Sequence, residues 1–144
     1  MHLIKLCVGI DSIEELAAWQ AMRLEKLSAA GAPAELMHRT RQTPRRGDAV
    51  VQSGSIYWVI KGFVRARQKI LELRETTDAE GRALCGIVLD PQLIATRPQP
   101  RRPFQGWRYL RPEEAPADLG AVQRLADSDI PPAMRAELAE LALL

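Results

Sequence analysis

Residues 101–110 read RRPFQGWRYL, which sets Arg101, Arg102 and Arg108 beside Phe104 and Trp107, with Gln105 between the two rings. A guanidinium grips phosphate oxygens through a planar fork of donors. An aromatic ring is a platform on which a base can stack. A glutamine amide offers a base edge both a donor and an acceptor. A second set lies upstream. Tyr57, Lys61, Arg65, Arg67 and Lys69 all fall on odd positions, so a strand through 57–69 would project them from one face. These two sets are the candidate site for single-stranded nucleic acid, with RNA ahead of duplex DNA because unpaired bases present their faces. A structural role competes for each residue. Phe104 and Trp107 taken singly also suit core plugs, and arginine stems readily cover apolar surface.

Charge adds to the functional reading. Residues 1–37 carry three basic and five acidic side chains, 38–111 carry fifteen and six, and 112–144 carry two and seven. A basic body between acidic flanks points to a polyanion partner.

Catalytic and metal chemistry find little support. QSGS at 52–55 lacks the G-x-S-x-G elbow, and neither GxGxxG nor a Walker A motif occurs. His2, His38, Cys7 and Cys85 have no metal-ligand spacing. His38 is the one histidine that reads as both structured and exposed, without a visible partner for base chemistry. No cofactor is expected. An enzyme that uses the same arginines on a nucleotide or phosphorylated metabolite stays as an alternative.

The elements that must position these residues follow from periodicity. HLIKLCV at 2–8 reads as a first strand. The next stretch has a capping box, with Asp11 or Ser12 followed by Glu14 or Glu15, and an apolar stripe of Ile13, Leu16, Ala17, Ala21, Leu24 and Leu27. It predicts a helix over 12–27, ended by Gly31 and Pro33. LMHRTRQ at 36–42 predicts a strand, and TPRRGD a turn. The even positions from Ile56 to Ile70 are nearly all apolar, which predicts strands at 55–61 and 63–73. A helix through Phe63, Ala66, Ile70 and Leu73 is the alternative for the second. TTDAEG predicts a turn, 82–90 a strand and 93–97 another, with PQPRRP extended and GWRYL closing the sheet. Leu119, Val122 and Leu125 predict a short helix, and Pro131 and Pro132 open a last one.

The strings GSIYWVIKG at 54–62, RQ at 67–68 and RRPFQGWRYL, with the opening HLIKLCVG, resemble a small, chiefly alphaproteobacterial family known as a domain of unknown function. That resemblance spans about residues 1–119 and implies a stand-alone bacterial protein without naming an activity. The order LIK with DSIEEL, then RRGDAVVQSGS, then VLDPQLIATRPQPRRPF is also similar to PUA-like domains of the EVE type. This implies a ligand pocket for RNA or modified bases between a barrel and its loops.

The expectation is therefore an α+β domain over 1–119, a small mixed β-barrel or strongly curved sheet with peripheral helices, and an acidic helical extension over 120–144 packed on it. It would act in the cytoplasm without a membrane span. A protein-interaction module is the rival from another class, because Leu138, Leu141 and Leu144 would give the last helix an apolar face for a partner or a second copy.

Overall fold

The computed structural model describes residues 1–122, which form eight strands and two α-helices. The order is β1 (His2–Leu6), α1 (Ile13–Ala29), β2 (Leu36–Thr40), α2 (Gly47–Ser53), β3 (Ser55–Ile60), β4 (Phe63–Thr77), β5 (Ala83–Leu89), β6 (Ile94–Pro100), β7 (Trp107–Leu110) and β8 (Asp118–Ala121). The strands make one mixed sheet in the order β2-β5-β4-β3-β1-β7. Among the described residues only the β1–β3 ladder is parallel. β4 is the hub. Its first half carries β3 on one edge and β6 on the other, and its second half carries β5.

β3 and β4 form a hairpin because Lys61 and Gly62 both take positive φ, 49° and 82°. That is the conformation a two-residue turn needs to match the strand twist. Along β4, Val64, Ala66, Gln68 and Ile70 are buried and Phe63, Arg65 and Lys69 exposed, but the register shifts between Val64 and Ala66, so that Val64 faces one core and Ala66 and Ile70 the other. β3 is buried on both faces. Trp58 and Ile56 join the main core with Leu3, Ala66, Ile70, Ile87 and Leu89, while Tyr57 and Val59 join a smaller core with Ile4, Val64 and Leu110.

Helix α1 closes over the main core. Ser12 Oγ accepts from Glu15 N, which makes Ser12 the cap, and Glu15 Oε2 accepts from Asp11 N, one residue before it. Leu16, Ala17, Ala18 and Met22 are buried, and Gln20 enters the core with them. A buried amide needs partners. Gln20 and Gln68 pair reciprocally at 2.7 and 2.9 Å, Trp58 Nε1 donates to Gln68 Oε1 at 3.0 Å, and Gln68 Nε2 also donates to the Asp90 carbonyl. This network ties α1 to the middle of the sheet.

Three expectations change. The sheet is neither closed into a barrel nor strongly curved. Closure needs a ladder between the terminal strands, and here no ladder joins β2 to β7, while β6 and β8 branch from β4. Residues 118–121 are an exposed strand on the β6 edge, not the start of a helix through Leu119. Residues 47–53 form a helix within the segment read as turn and loop. The strand expected over 63–73 is present and runs on to Thr77. The predicted helix with Leu138, Leu141 and Leu144 lies outside the described residues.

Candidate functional site

The loop between β6 and β7 is pinned at its start, where Arg101 N donates to the Gly62 carbonyl at 2.8 Å. That bond sets the loop against the β3–β4 turn. On the other side, β7 runs antiparallel to β1, with Arg108 opposite Ile4. Between them lies an open cleft of about 590 Å³. Ile4 lies within it, Gln99 and Pro100 line one wall, and Arg101, Arg102, Phe104, Arg108 and Tyr109 complete it. The volume is that of a site for one small ligand or one nucleotide unit.

Phe104 does two jobs. Its ring packs on the smaller core, and the Arg108 guanidinium lies 5.3 Å from its centroid. A cation over a ring face is held electrostatically, which orders Arg108 at the cleft. Gln99 is fixed by donating to the Glu114 carbonyl at 3.0 Å. Hydrogen bonds from Arg111 hold the Glu114 carboxyl below the ordinary carboxylate range, and the charge of Arg101 adds to this. Among the described residues Arg102 and Arg108 form no ion pair.

The structure divides the sequence-predicted residues. Arg101, Arg102, Phe104 and Arg108 meet in the cleft. Arg65 and Lys69 are exposed on β4, and Phe63 lies beside Pro100, with the register shift between Val64 and Ala66 separating Phe63 from the face of Lys69. Lys61 sits on the turn, 4.0 Å from Asp11. Gln105 is exposed and stands outside the cleft lining. Three residues take other parts. Tyr57 is buried, with its ring edge-on to His2, so it offers no stacking face, and burial pushes its hydroxyl up. Arg67 makes a bidentate pair with Asp118 at 2.6 and 2.7 Å and donates to Ser55 Oγ. That bond holds the Asp118 carboxyl below its usual range. Trp107 projects from the face of β7 opposite Arg108, meets Tyr109 edge-on at 4.9 Å, and donates from Nε1 to the Gln42 carbonyl at 2.7 Å.

Sequence reasoning missed Ile4, Gln99 and Tyr109 as cleft residues. The signal was faint, because Ile4 reads as core and Gln99 as linker. Tyr109 stood inside the RRPFQGWRYL string itself. His38 is half-buried rather than exposed, and burial lowers its pKa to about 4, helped by the charge of Lys5. Ser55 is no nucleophile, since its Oγ accepts from Arg67 and its backbone N donates to His2 Nδ1. Among the described residues no group of three or more His, Cys, Asp or Glu side chains could hold a metal ion, and no helix is long and apolar enough to cross a membrane.

Residues 3–144 match the model of a family described as a protein of unknown function, DUF1489. No curated protein and no solved structure matches the chain.

Proposed function

The chain belongs to the DUF1489 family, and we propose that it binds single-stranded nucleic acid, RNA ahead of duplex DNA, through the arginine cleft. One observation carries this reading. Arg101, Arg102 and Arg108 converge with Phe104 on one cleft, and neither Arg102 nor Arg108 is neutralised by a carboxylate among the described residues. Guanidinium groups of that kind await phosphate, and the cleft admits one nucleotide at a time. Arg65 and Lys69, exposed on β4, would add cations beyond the cleft.

Two free thiols, Cys7 and Cys85, fit a reducing compartment such as the cytoplasm. The test is fluorescence anisotropy with labelled single-stranded RNA and duplex DNA of equal length, at low salt. Single strands bind more tightly, and Arg101→Ala/Arg102→Ala weakens that binding without unfolding the protein. Equal affinity of the double variant and the parent removes the proposal. Turnover of a nucleotide panel would move the reading to the enzyme class.

A further inference from the structure

Three guanidiniums share a cleft with room for one nucleotide, and their neighbours leave their charge unspent. Arg108 lies over the Phe104 ring, and Arg101 Nη2 donates to Gln99 Oε1 at 3.5 Å. A ring face and an amide oxygen orient an arginine without neutralising it. Arg102 is exposed. Among the described residues none of the three forms an ion pair, and no carboxylate lines the cleft. Glu114, whose carboxyl feels the charge of Arg101, is engaged by Arg111 Nε at 3.0 Å.

Among the described residues two rings line the cleft, Phe104 and Tyr109. Phe104 packs on the smaller core and carries Arg108, so its face is taken. Tyr109 is 36% exposed, and its hydroxyl accepts from Arg46 N at 3.0 Å, which fixes the ring from the loop between β2 and α2. A base inside a strand has a neighbour on each face. A base at a strand end has one face open, and one ring completes its stack.

We infer that the cleft reads a strand end that carries a phosphate monoester, rather than any nucleotide along a strand. This rests on the nucleic-acid reading above and narrows its ligand. A nucleotide within a strand is flanked by two phosphodiesters, each with one negative charge. A nucleotide at a phosphorylated end has one phosphodiester and one monoester, and the monoester carries about −1.5 to −2 at neutral pH. That total approaches three, the combined charge of Arg101, Arg102 and Arg108. The monoester also offers the guanidinium forks three free oxygens, where a diester offers two. Tyr109 then takes the terminal base.

The probes are short single-stranded RNAs of one sequence, with hydroxyls at both ends, with a 5′-phosphate, or with a 3′-phosphate, together with the matching nucleoside monophosphates. Each competes against a labelled strand in fluorescence anisotropy on the full chain at low salt. A phosphorylated end, 5′ or 3′, binds more tightly than the hydroxyl-ended strand by about tenfold or more, the gain expected of added charge-assisted hydrogen bonds. Converting that phosphate to its methyl ester, a diester, removes most of the gain. Arg108→Gln removes it too, and the melting temperature stays near the parent's because the side chain is exposed. Tyr109→Leu weakens the phosphorylated strand by about fivefold or more, whereas Tyr109→Phe, which keeps the ring, does not. Equal affinity for hydroxyl-ended and phosphorylated strands, with both weakened by Arg101→Ala/Arg102→Ala, overturns this inference and leaves nucleic-acid binding standing. No binding of any strand removes both. A nucleoside monophosphate that binds as tightly as the phosphorylated strand assigns the cleft to free nucleotides and overturns the strand end. A gain that Arg108→Gln leaves whole, or equal binding by the two Tyr109 variants, also overturns it.

Discussion

Replacing Gln68 by leucine tests how the helix is held to the sheet. Gln68 is fully buried and makes four hydrogen bonds, to both atoms of the Gln20 amide, to Trp58 Nε1 and to the Asp90 carbonyl. Leucine keeps most of the volume and satisfies none of them. The Asp90 carbonyl lies near the surface and can turn to water. The Gln20 amide nitrogen, the Gln20 amide oxygen and Trp58 Nε1 cannot, since both residues are buried. Each orphaned buried group costs about 1–3 kcal/mol, so Gln68→Leu costs at least about 3 kcal/mol. Gln20→Leu alone is milder, about 1–2 kcal/mol, because Gln68 keeps Trp58 and Asp90 as partners. In the double variant only Trp58 Nε1 is left orphaned, and the expected total is about 2 kcal/mol. The double change is therefore less damaging than the sum of the singles, by about 2–3 kcal/mol. Urea unfolding of the four proteins gives the coupling directly. Additive costs, or a double variant worse than the sum, would refute the network as the tie between α1 and the sheet.

Other outcomes follow from the same structure. Trp107→Ala should cost about 2–3 kcal/mol in urea unfolding, below the range for a fully buried tryptophan because the ring is half-buried, while RNA affinity is unchanged. His38 has its folded pKa lowered to about 4. Its contribution is complete above the unfolded value near 6.5 and is lost as pH falls toward 4, to a total of about 3 kcal/mol. Urea midpoints between pH 7 and 4 should thus fall more steeply for the parent than for His38→Gln. Gly54→Ala should destabilise by roughly 1–3 kcal/mol. A Cβ there would lie 2.2 Å from the Met1 carbonyl oxygen and 2.4 Å from that of Val50, both backbone atoms. A thermal melt of the variant checks it.

How far the sequence could be read depended on whether a segment's pattern belonged to itself. The apolar content from Ile56 to Ile70 belongs to one hairpin with a core on each side, so the strands and the exposure of Arg65 and Lys69 were legible, whereas the register shift that turns Val64 to the smaller core was not. The α1 boundary was legible because its cap is local, Ser12 with Glu15. Helix α2 was not. It has seven residues, starts with a glycine, lacks a side-chain cap, and buries Val50 alone. β8 was not either, since Leu119 and Val122 fit a helical spacing and the strand exists only because β6 offers an edge. The expectation of a barrel failed for a similar reason. Which edges pair is a property of the whole chain, and β4 is long enough to take three neighbours. In the site, the arginines of RRPFQGWRYL were legible from composition. That Arg67 would be taken by Asp118, and that Tyr57 would turn inward, depended on contacts made by distant residues.

The most direct test of the proposed function is the salt dependence of single-stranded RNA binding. Arg65, Lys69, Arg101, Arg102 and Arg108 form no ion pair among the described residues, which makes five cations available for phosphate. Log affinity against log salt should then fall with a slope near −3.5, about −0.7 for each phosphate neutralised. Arg101→Ala/Arg102→Ala should flatten it to about −2.1 by removing two of the five. A slope near zero, or one that the double variant leaves unchanged, would contradict phosphate binding by the cleft.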